Sequence, residues 1–173
     1  MRKTNRLDTH RIALSGLLTA MMLVLGYVES LLPIPGGIPG IKLGLSNGFL
    51  IFAVYMLGPW VSLVLMVLKV TLSGFLFGGV SAMAFSMAGG VVSLTAMILL
   101  KRVRGLSPVV VSMIGGAAHN AGQVALAMVI LETGKLMYYM AVLMLVGLGM
   151  GAVTGIAAAS VLRHMSRIGR RSP

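Results

Sequence analysis

Long apolar stretches, separated by short turn-forming or basic segments, run along nearly the whole chain. Six of them predict membrane-spanning helices, because their lengths are close to the ~20 residues needed to cross a bilayer. They cover residues 12–32, 42–57, 60–77, 80–100, 108–131 and 136–162, the second being short for a span. The pattern therefore predicts an all-α fold, an integral membrane bundle of six transmembrane helices.

Glycine and proline mark the breaks between the predicted spans. The segment Pro33–Gly40 has three prolines and three glycines in eight residues and cannot continue a helix. We expect an external loop there, apolar enough to dip into the bilayer surface. Gly58-Pro59 and Gly78-Gly79 predict the next two turns. Glu132 and Lys135 are expected to form a solvated pair in a short outer turn.

Composition supports a helical membrane protein. The chain is 58% hydrophobic and 10% charged, with a mean hydropathy of +1.01. The apolar residues form continuous runs rather than alternating ten-residue segments, which argues against an outer-membrane barrel. Because the chain has no cysteine, disulfides, thiolate catalysis and cysteine-ligated metal sites are excluded.

The net charge of +11 is concentrated beside the apolar spans, which indicates topology rather than a nucleic-acid partner. Basic loops favour the cytoplasmic face, and six spans place all the basic clusters there together with both termini. We expect a single membrane domain over residues 1–173, with basic tails at 1–11 and 163–173 and the bundle at 12–162. The three clusters are Arg2, Lys3, Arg6 and Arg11; Lys101, Arg102 and Arg104; and Arg163, Arg167, Arg170 and Arg171.

Three polar side chains lie in the otherwise apolar fifth span. His119, Asn120 and Gln123 have the three- and four-residue spacings that place them on one helix face. Polar groups inside a membrane are costly and often functional. At ~1.5 Å per residue, Lys69 lies ~13 Å into the third span and His119 ~17 Å into the fifth, so we expect them at a similar depth.

Three more polar residues are expected just above that level. Glu29 is near the outer end of the first span, and Lys42 and Asn47 are at the outer start of the second. Together with Lys69 and the three residues of the fifth span, they predict a polar cavity that opens outward beneath the Pro33–Gly40 loop. Two lysines against one carboxylate leave a surplus positive charge, which favours an anionic ligand.

A purely structural interpretation of these residues stays open. Lys69 would then pair with Glu29 as a buried ion pair, and Lys42 would extend its ammonium to the membrane interface. In that interpretation His119 and its two polar neighbours only bond adjacent helices, as isolated polar residues in membrane bundles do.

Small residues at four-residue spacing predict close helix packing. The motifs are Gly16-x-x-x-Ala20, Gly147-x-x-x-Gly151 and Gly151-x-x-x-Gly155. Such spacings let helix backbones approach one another and are common within membrane bundles. Internal packing is the expected role of all three.

Three motifs in order resemble a bacterial membrane family. They are Glu29 to Pro33, Pro39 to Asn47, and Gly115 to Gln123, and the resemblance extends from about Arg11 to Leu162. The family is that of the Gx transporters, also described as heptaprenyl diphosphate synthase component I. Lys69 departs from the arginine expected in many relatives, which keeps the positive charge but loses bidentate recognition.

This family is in turn similar to the substrate-binding S components of energy-coupling factor importers. That similarity implies six helices, a first external loop acting as a lid, and a small-residue surface on the first helix, here Gly16 and Ala20. The surface would dock an energy-coupling transmembrane subunit with its ATPases. The resemblance thus implies a cofactor-free, multi-pass subunit of the bacterial inner membrane that binds a vitamin-like or anionic molecule.

The other description of the family implies a different function. Prenyl diphosphate synthesis ionises an allylic diphosphate held by magnesium on aspartate-rich motifs. This chain has three acidic residues, of which Asp8 is the one aspartate, so we expect no such metal site and no independent synthase activity. A non-catalytic membrane subunit beside isoprenoid or quinone biosynthesis, or of flavin- or quinone-linked electron transfer, is the alternative. A membrane assembly scaffold is a third.

Overall fold

The computed structural model describes the backbone of residues 4–31 and 41–169 and the side chains of residues 9–31 and 41–164. Within these ranges the regular elements are helices, and no strand is present. The α-helices are α1 (Thr4–Ser30), α2 (Leu50–Met56), α3 (Pro59–Ser73), α4 (Gly79–Lys101), α5 (Pro108–Ile130) and α6 (Leu136–Gly169).

Four helical stretches in the described residues are long and apolar enough to cross a membrane. They are Thr9–Ser30, Pro59–Lys101, Pro108–Ile130 and Leu136–His164. The chain is therefore a multi-pass, all-helical membrane protein, as the hydropathy pattern predicts.

The longest of these stretches turns back on itself. The π-helix Gly74–Gly78 follows α3, and the chain reverses at Gly79, which has a φ of 75°. A Cβ on Gly74 would meet Met83, and one on Gly90 would meet Met66. Because contacts pair residues at increasing distance from the turn, α3 and α4 lie side by side and antiparallel. The reversal lies at the predicted Gly78-Gly79 pair.

The second predicted span, residues 42–57, is wrong as a continuous helix. Residues 41–44 are not helical, Leu45–Phe49 forms a 3-10 helix, and α2 has only seven residues. Gly44 interrupts the helix because its φ of 90° is in the left-handed region that favours glycine. The two helical pieces together rise about 20 Å, less than the ~30 Å hydrocarbon core.

Glycines bring α5 and α6 into close antiparallel contact. On α6, Gly147, Gly151 and Gly155 approach the α5 backbone from Gly116 to Val109, and a Cβ on any of the three would meet an α5 backbone atom within 3 Å. Two of the predicted small-residue motifs therefore pack internally, as expected.

The motif on α1 faces away from the bundle instead. Gly16 and Ala20 are exposed, and no described atom lies within 4 Å of a Cβ placed on Gly16. The expectation of internal packing is therefore wrong for this motif within the described part of the chain. Its face is open to lipid or to a partner.

Buried apolar side chains form two clusters, one on each side of a polar layer. The larger cluster draws residues from all six helices, among them Val111, and the smaller joins α4, α5 and α6 around Val124. On α5, His119 and Asn120 lie between these two valines. The polar side chains of α5 are thus enclosed by apolar packing above and below.

Candidate functional site

The seven predicted site residues lie together between α1, α3, α5 and the segment 41–49. Each is buried, with at most 8% of its surface exposed. We call these seven residues the polar cluster: Glu29, Lys42, Asn47, Lys69, His119, Asn120 and Gln123.

Gln123 binds the non-helical backbone that precedes the 3-10 helix. Its Nε2 donates to the Lys42 carbonyl at 2.9 Å, and the Lys42 amide donates to its Oε1 at 3.1 Å. One side chain therefore supplies the donor and the acceptor that a neighbouring strand would supply. Backbone groups inside a membrane must be satisfied within the protein, since each unpaired group costs several kcal/mol. This contact gives Gln123 a structural role.

Asn120 joins the same segment to α6. Its Nδ2 donates to the Leu143 carbonyl at 2.6 Å and lies 3.5 Å from the Leu43 carbonyl. Its Oδ1 accepts from Gln123 Nε2 at 3.3 Å. The two amides of α5 therefore hold residues 42–43 in place. Their spacing in the sequence predicts that they share a helix face. It does not predict their backbone partners, which are distant along the chain.

Lys69, Asn47 and His119 form a hydrogen-bonded chain across the centre of the cluster. Lys69 Nζ donates to Asn47 Oδ1 at 3.1 Å, and Asn47 Nδ2 lies against His119 Nδ1. Because the amide oxygen accepts from the lysine, the amide nitrogen donates and His119 Nδ1 accepts. The neutral imidazole then carries its proton on Nε2. Lys69 and His119 are thus linked through a single side chain.

Glu29 caps the beginning of the 3-10 helix. Its Oε1 accepts from the Gly44 amide, while its Oε2 has no hydrogen-bond partner among the residues that the structure describes. Lys69 donates to Asn47 rather than to this carboxylate. The charges of Glu29 and Lys69 attract each other without a direct hydrogen bond between the two side chains, and the interpretation as a buried ion pair stays a prediction.

The Lys42 ammonium lies at the edge of the cluster against aromatic rings. Its Nζ is 4.9 Å from the centre of the Phe77 ring, which contacts Tyr27 edge-on at 5.5 Å between ring centres. A cation over a ring face is stabilised by ~0.5–2 kcal/mol, more when water is excluded. Lys42 thus links the segment 41–44 to the π-helix after α3 through its side chain, and to α5 through its backbone.

Three glycines that were not among the predicted site residues shape the cluster. A Cβ on Gly44 would lie 3.3 Å from His119 Cδ2, and one on Gly89 would lie 2.7 Å from His119 Nδ1. A Cβ on Gly48 would overlap Thr154 of α6. These positions admit only glycine without a rearrangement. Of these three, Gly89 could have been noticed in the sequence, because the Gly89-Gly90 pair lies in the middle of an apolar span.

The polar side chains pack against one another at the level of Asn47. The narrow space bounded by Gly44, Asn47, Gly116 and Thr154 has no room for a water molecule. The predicted lid, Pro33–Gly40, lies outside the described residues. An outward-opening cavity between the cluster and that loop stays a prediction.

Comparison with known proteins assigns the chain to a family. The model for heptaprenyl diphosphate synthase component I matches residues 18–161, a range that includes the whole polar cluster. No curated protein and no solved structure matches the chain. Because the match covers most of its length, the chain belongs to the heptaprenyl diphosphate synthase component I family.

Proposed function

We propose that this protein is a substrate-binding subunit that captures a small anionic or vitamin-like molecule from outside and passes it inward with partner proteins. The observation that carries the proposal is the unused binding capacity of the buried polar cluster. Lys69 Nζ has three N–H groups and makes one hydrogen bond within the described residues, to Asn47. The Lys42 ammonium faces a ring, and Glu29 Oε2 is unpaired.

These unused groups favour a ligand that carries a carboxylate or a phosphate. Buried charges are costly unless they are paired and hydrogen-bonded. An anionic group between the two lysines would accept the remaining N–H donors and balance the surplus positive charge. Asn120 and Gln123 support this site indirectly, because their amides are engaged by the backbone of residues 42–43 and by Leu143.

A topology of six passes with both termini in the cytoplasm fits this role. In it, residues 41–56 cross the bundle as a non-helical segment followed by two short helices, and the antiparallel pairs α3–α4 and α5–α6 provide four further passes. Support comes from the basic residues, since Lys101 and Arg163 lie at the same end of the α4–α5–α6 unit. The polar cluster would then open toward the outside.

The exposed face of α1 supports a partner in the membrane. No described atom lies within 4 Å of a Cβ placed on Gly16, and Ala20 is exposed, in contrast to Gly147, Gly151 and Gly155 of α6, which pack on α5. Small residues on an open helix face allow a second helix to approach closely. An energy-coupling transmembrane subunit with ATPases is the partner that the proposed uptake role requires, because the chain has no nucleotide-binding loop of its own.

A second candidate function is a non-catalytic membrane subunit beside isoprenoid or quinone biosynthesis or electron transfer. The family description, component I of a heptaprenyl diphosphate synthase, favours it. In both proposals the chain is not itself an enzyme. Genes for an ATPase and a transmembrane coupling subunit beside this gene would favour uptake, whereas genes of quinone or isoprenoid synthesis would favour the second.

Mass spectrometry of small molecules that co-purify with the protein from its native source tests the proposal. Uptake predicts a stoichiometric, water-soluble anion in the wild type and its loss in His119→Ala and Lys69→Ala. Lys135→Ala, in the exposed turn before α6, is the matched control and should retain it. A prenyl or quinone compound instead of a soluble anion would favour the second candidate. Equal retention by all three variants would contradict the assignment of the cluster.

A further inference from the structure

The π-helix after α3 places one aromatic ring against the polar cluster. Of the three large apolar side chains in Gly74–Gly78, Phe75 and Leu76 are 81% and 67% exposed, whereas Phe77 is half-buried. The Phe77 ring lies 4.9 Å from the Lys42 ammonium. The π-helix, a form that often occurs at functional sites, thus directs a single ring inward.

Two glycines leave room for the ring and for the ammonium. A Cβ on Gly26 of α1 would lie 3.7 Å from Phe77 Cζ, and one on Gly78 would lie 3.7 Å from Lys42 Nζ. Any larger side chain directed toward these atoms would meet the ring or the ammonium. Tyr27 contacts the ring edge-on. The ring therefore has a defined place between α1 and Lys42.

The side chain of Lys42 alone decides where its charge lies, because its backbone is fixed. Gln123 binds both the amide and the carbonyl of Lys42. Within the described residues the ammonium makes no hydrogen bond, and it is attracted by the Phe77 ring and by the charge of Glu29. A lysine chain is long enough to carry its ammonium toward water at a membrane surface. Only 8% of Lys42 is exposed, so its side chain is turned inward instead.

The ring contact is strong enough to influence this choice. A cation over a ring face is favoured by a factor of roughly 2–30 at 25 °C, and the upper end applies where water is excluded. Leucine at residue 77 would keep an apolar side chain but remove the ring face. The balance would then shift toward an ammonium in water.

We propose that Phe77 is a positioning residue, whose ring keeps the Lys42 ammonium in the polar cluster and away from the membrane interface. The ammonium then stays available to the anionic group of the substrate, a consequence that rests on the proposed function. Without the ring, the ammonium moves outward while the backbone of Lys42 keeps its place. Phe77→Tyr preserves the ring face and therefore the position of the charge.

Acetylation of lysine amines by a water-soluble N-hydroxysuccinimide ester tests this role in the full-length protein in detergent. Peptide mass spectrometry measures the rate at each lysine. In Phe77→Leu the rate at Lys42 should rise at least threefold over the wild type, while the rate at buried Lys69 stays unchanged. Phe77→Tyr should react like the wild type. Phe75→Leu, the same change at the exposed ring of the π-helix, is the matched control and should leave the rate at Lys42 unchanged.

Three outcomes would overturn the proposal. An unchanged rate at Lys42 in Phe77→Leu would show that the ring does not hold the ammonium. Parallel rises at Lys42 and Lys69 would show a general loosening of the cluster instead. A rate at Lys42 as high in Phe77→Tyr as in Phe77→Leu would exclude the ring face as the cause. If Phe77→Leu does not fold, Phe77→Met is measured with the same expectation. The assay contains no ligand, so its result is independent of the uptake proposal.

Discussion

Gln123 has a structural role that its position in the sequence does not reveal. From the sequence it is a polar group at membrane depth, and a ligand is the obvious reason for it. In the structure it donates to and accepts from the backbone of Lys42. That use is just as specific, because residues 41–44 are not helical and the amide and carbonyl of Lys42 need partners inside a membrane.

Replacing Gln123 with leucine should therefore destabilise the fold. Two backbone groups of Lys42 would lose their partners, at a cost of about 2–4 kcal/mol in total. Thermal unfolding of the purified protein in detergent measures the effect. Ser160→Ala, which removes an exposed hydroxyl that bonds its own helix, is the control and should change the stability little. An equal, small effect of both changes would contradict this role.

Glu29→Gln should separate the capping role of this residue from its charge. The amide oxygen can still accept from the Gly44 N–H, so the folded state should persist. Removing the negative charge leaves Lys42 and Lys69 unopposed, and affinity for an anionic ligand should rise several-fold. A binding titration with the co-purified compound checks this, and a large fall in affinity would show that the ligand donates to this carboxylate.

At the scale of elements, the sequence predicts most helix ends and fails at the second span. Gly78-Gly79 marks the reversal after α3, and Pro108 begins α5 one residue after the N-cap Ser107, because proline and glycine act locally. Residues 41–49 mix apolar residues with Lys42, Ser46, Asn47 and two glycines. Their conformation depends on Gly44 and on hydrogen bonds to Asn120 and Gln123, more than seventy positions away. The local hydrophobic pattern carries no information about such distant partners, so it could not predict this break in the helix.

Gly44→Ala should destabilise the protein more than Gly105→Ala. Both glycines have a φ near 90°, where a side chain costs about 1–2 kcal/mol. A Cβ on Gly44 would also press on His119 Cδ2 at 3.3 Å, whereas nothing lies within 4 Å of one on Gly105. The difference between the two unfolding temperatures measures the contact with His119. Equal shifts would contradict a destabilising contact with His119 and would mean that its side chain can move away from the added Cβ.

At the scale of the whole molecule, two glycine-containing helix faces differ in their packing. The face of α6 with Gly147 packs against α5, whereas the face of α1 with Gly16 has no described neighbour. Gly147→Leu should prevent normal folding, because its side chain would overlap the Gly116 backbone. Gly16→Leu should leave the unfolding temperature of the isolated protein unchanged, since its position is open. If α1 docks a coupling subunit, Gly16→Leu should still abolish uptake in cells. Normal uptake by a well-expressed Gly16→Leu variant would contradict docking through this face.

The convergence of Glu29, Lys42, Lys69 and His119 was predictable from depth and residue type, since few polar residues compete for partners in an apolar chain. The sequence could not predict which of these residues stabilise the fold and which have donors left for the proposed ligand, because that division depends on contacts with the backbone. Lys69 is the residue that we propose to contact the ligand most directly. Its ammonium has a single partner among the described residues, Asn47.

The affinity of Lys69 variants for the co-purified molecule is the most direct test of a ligand site in the polar cluster. Loss of a charge-assisted hydrogen bond costs about 1.5–3 kcal/mol, or at least a tenfold loss of affinity. Isothermal titration in detergent should show this loss for Lys69→Ala, with partial recovery in Lys69→Arg and wild-type affinity in Lys135→Ala. Wild-type affinity in a folded Lys69→Ala variant would contradict a ligand site in the polar cluster.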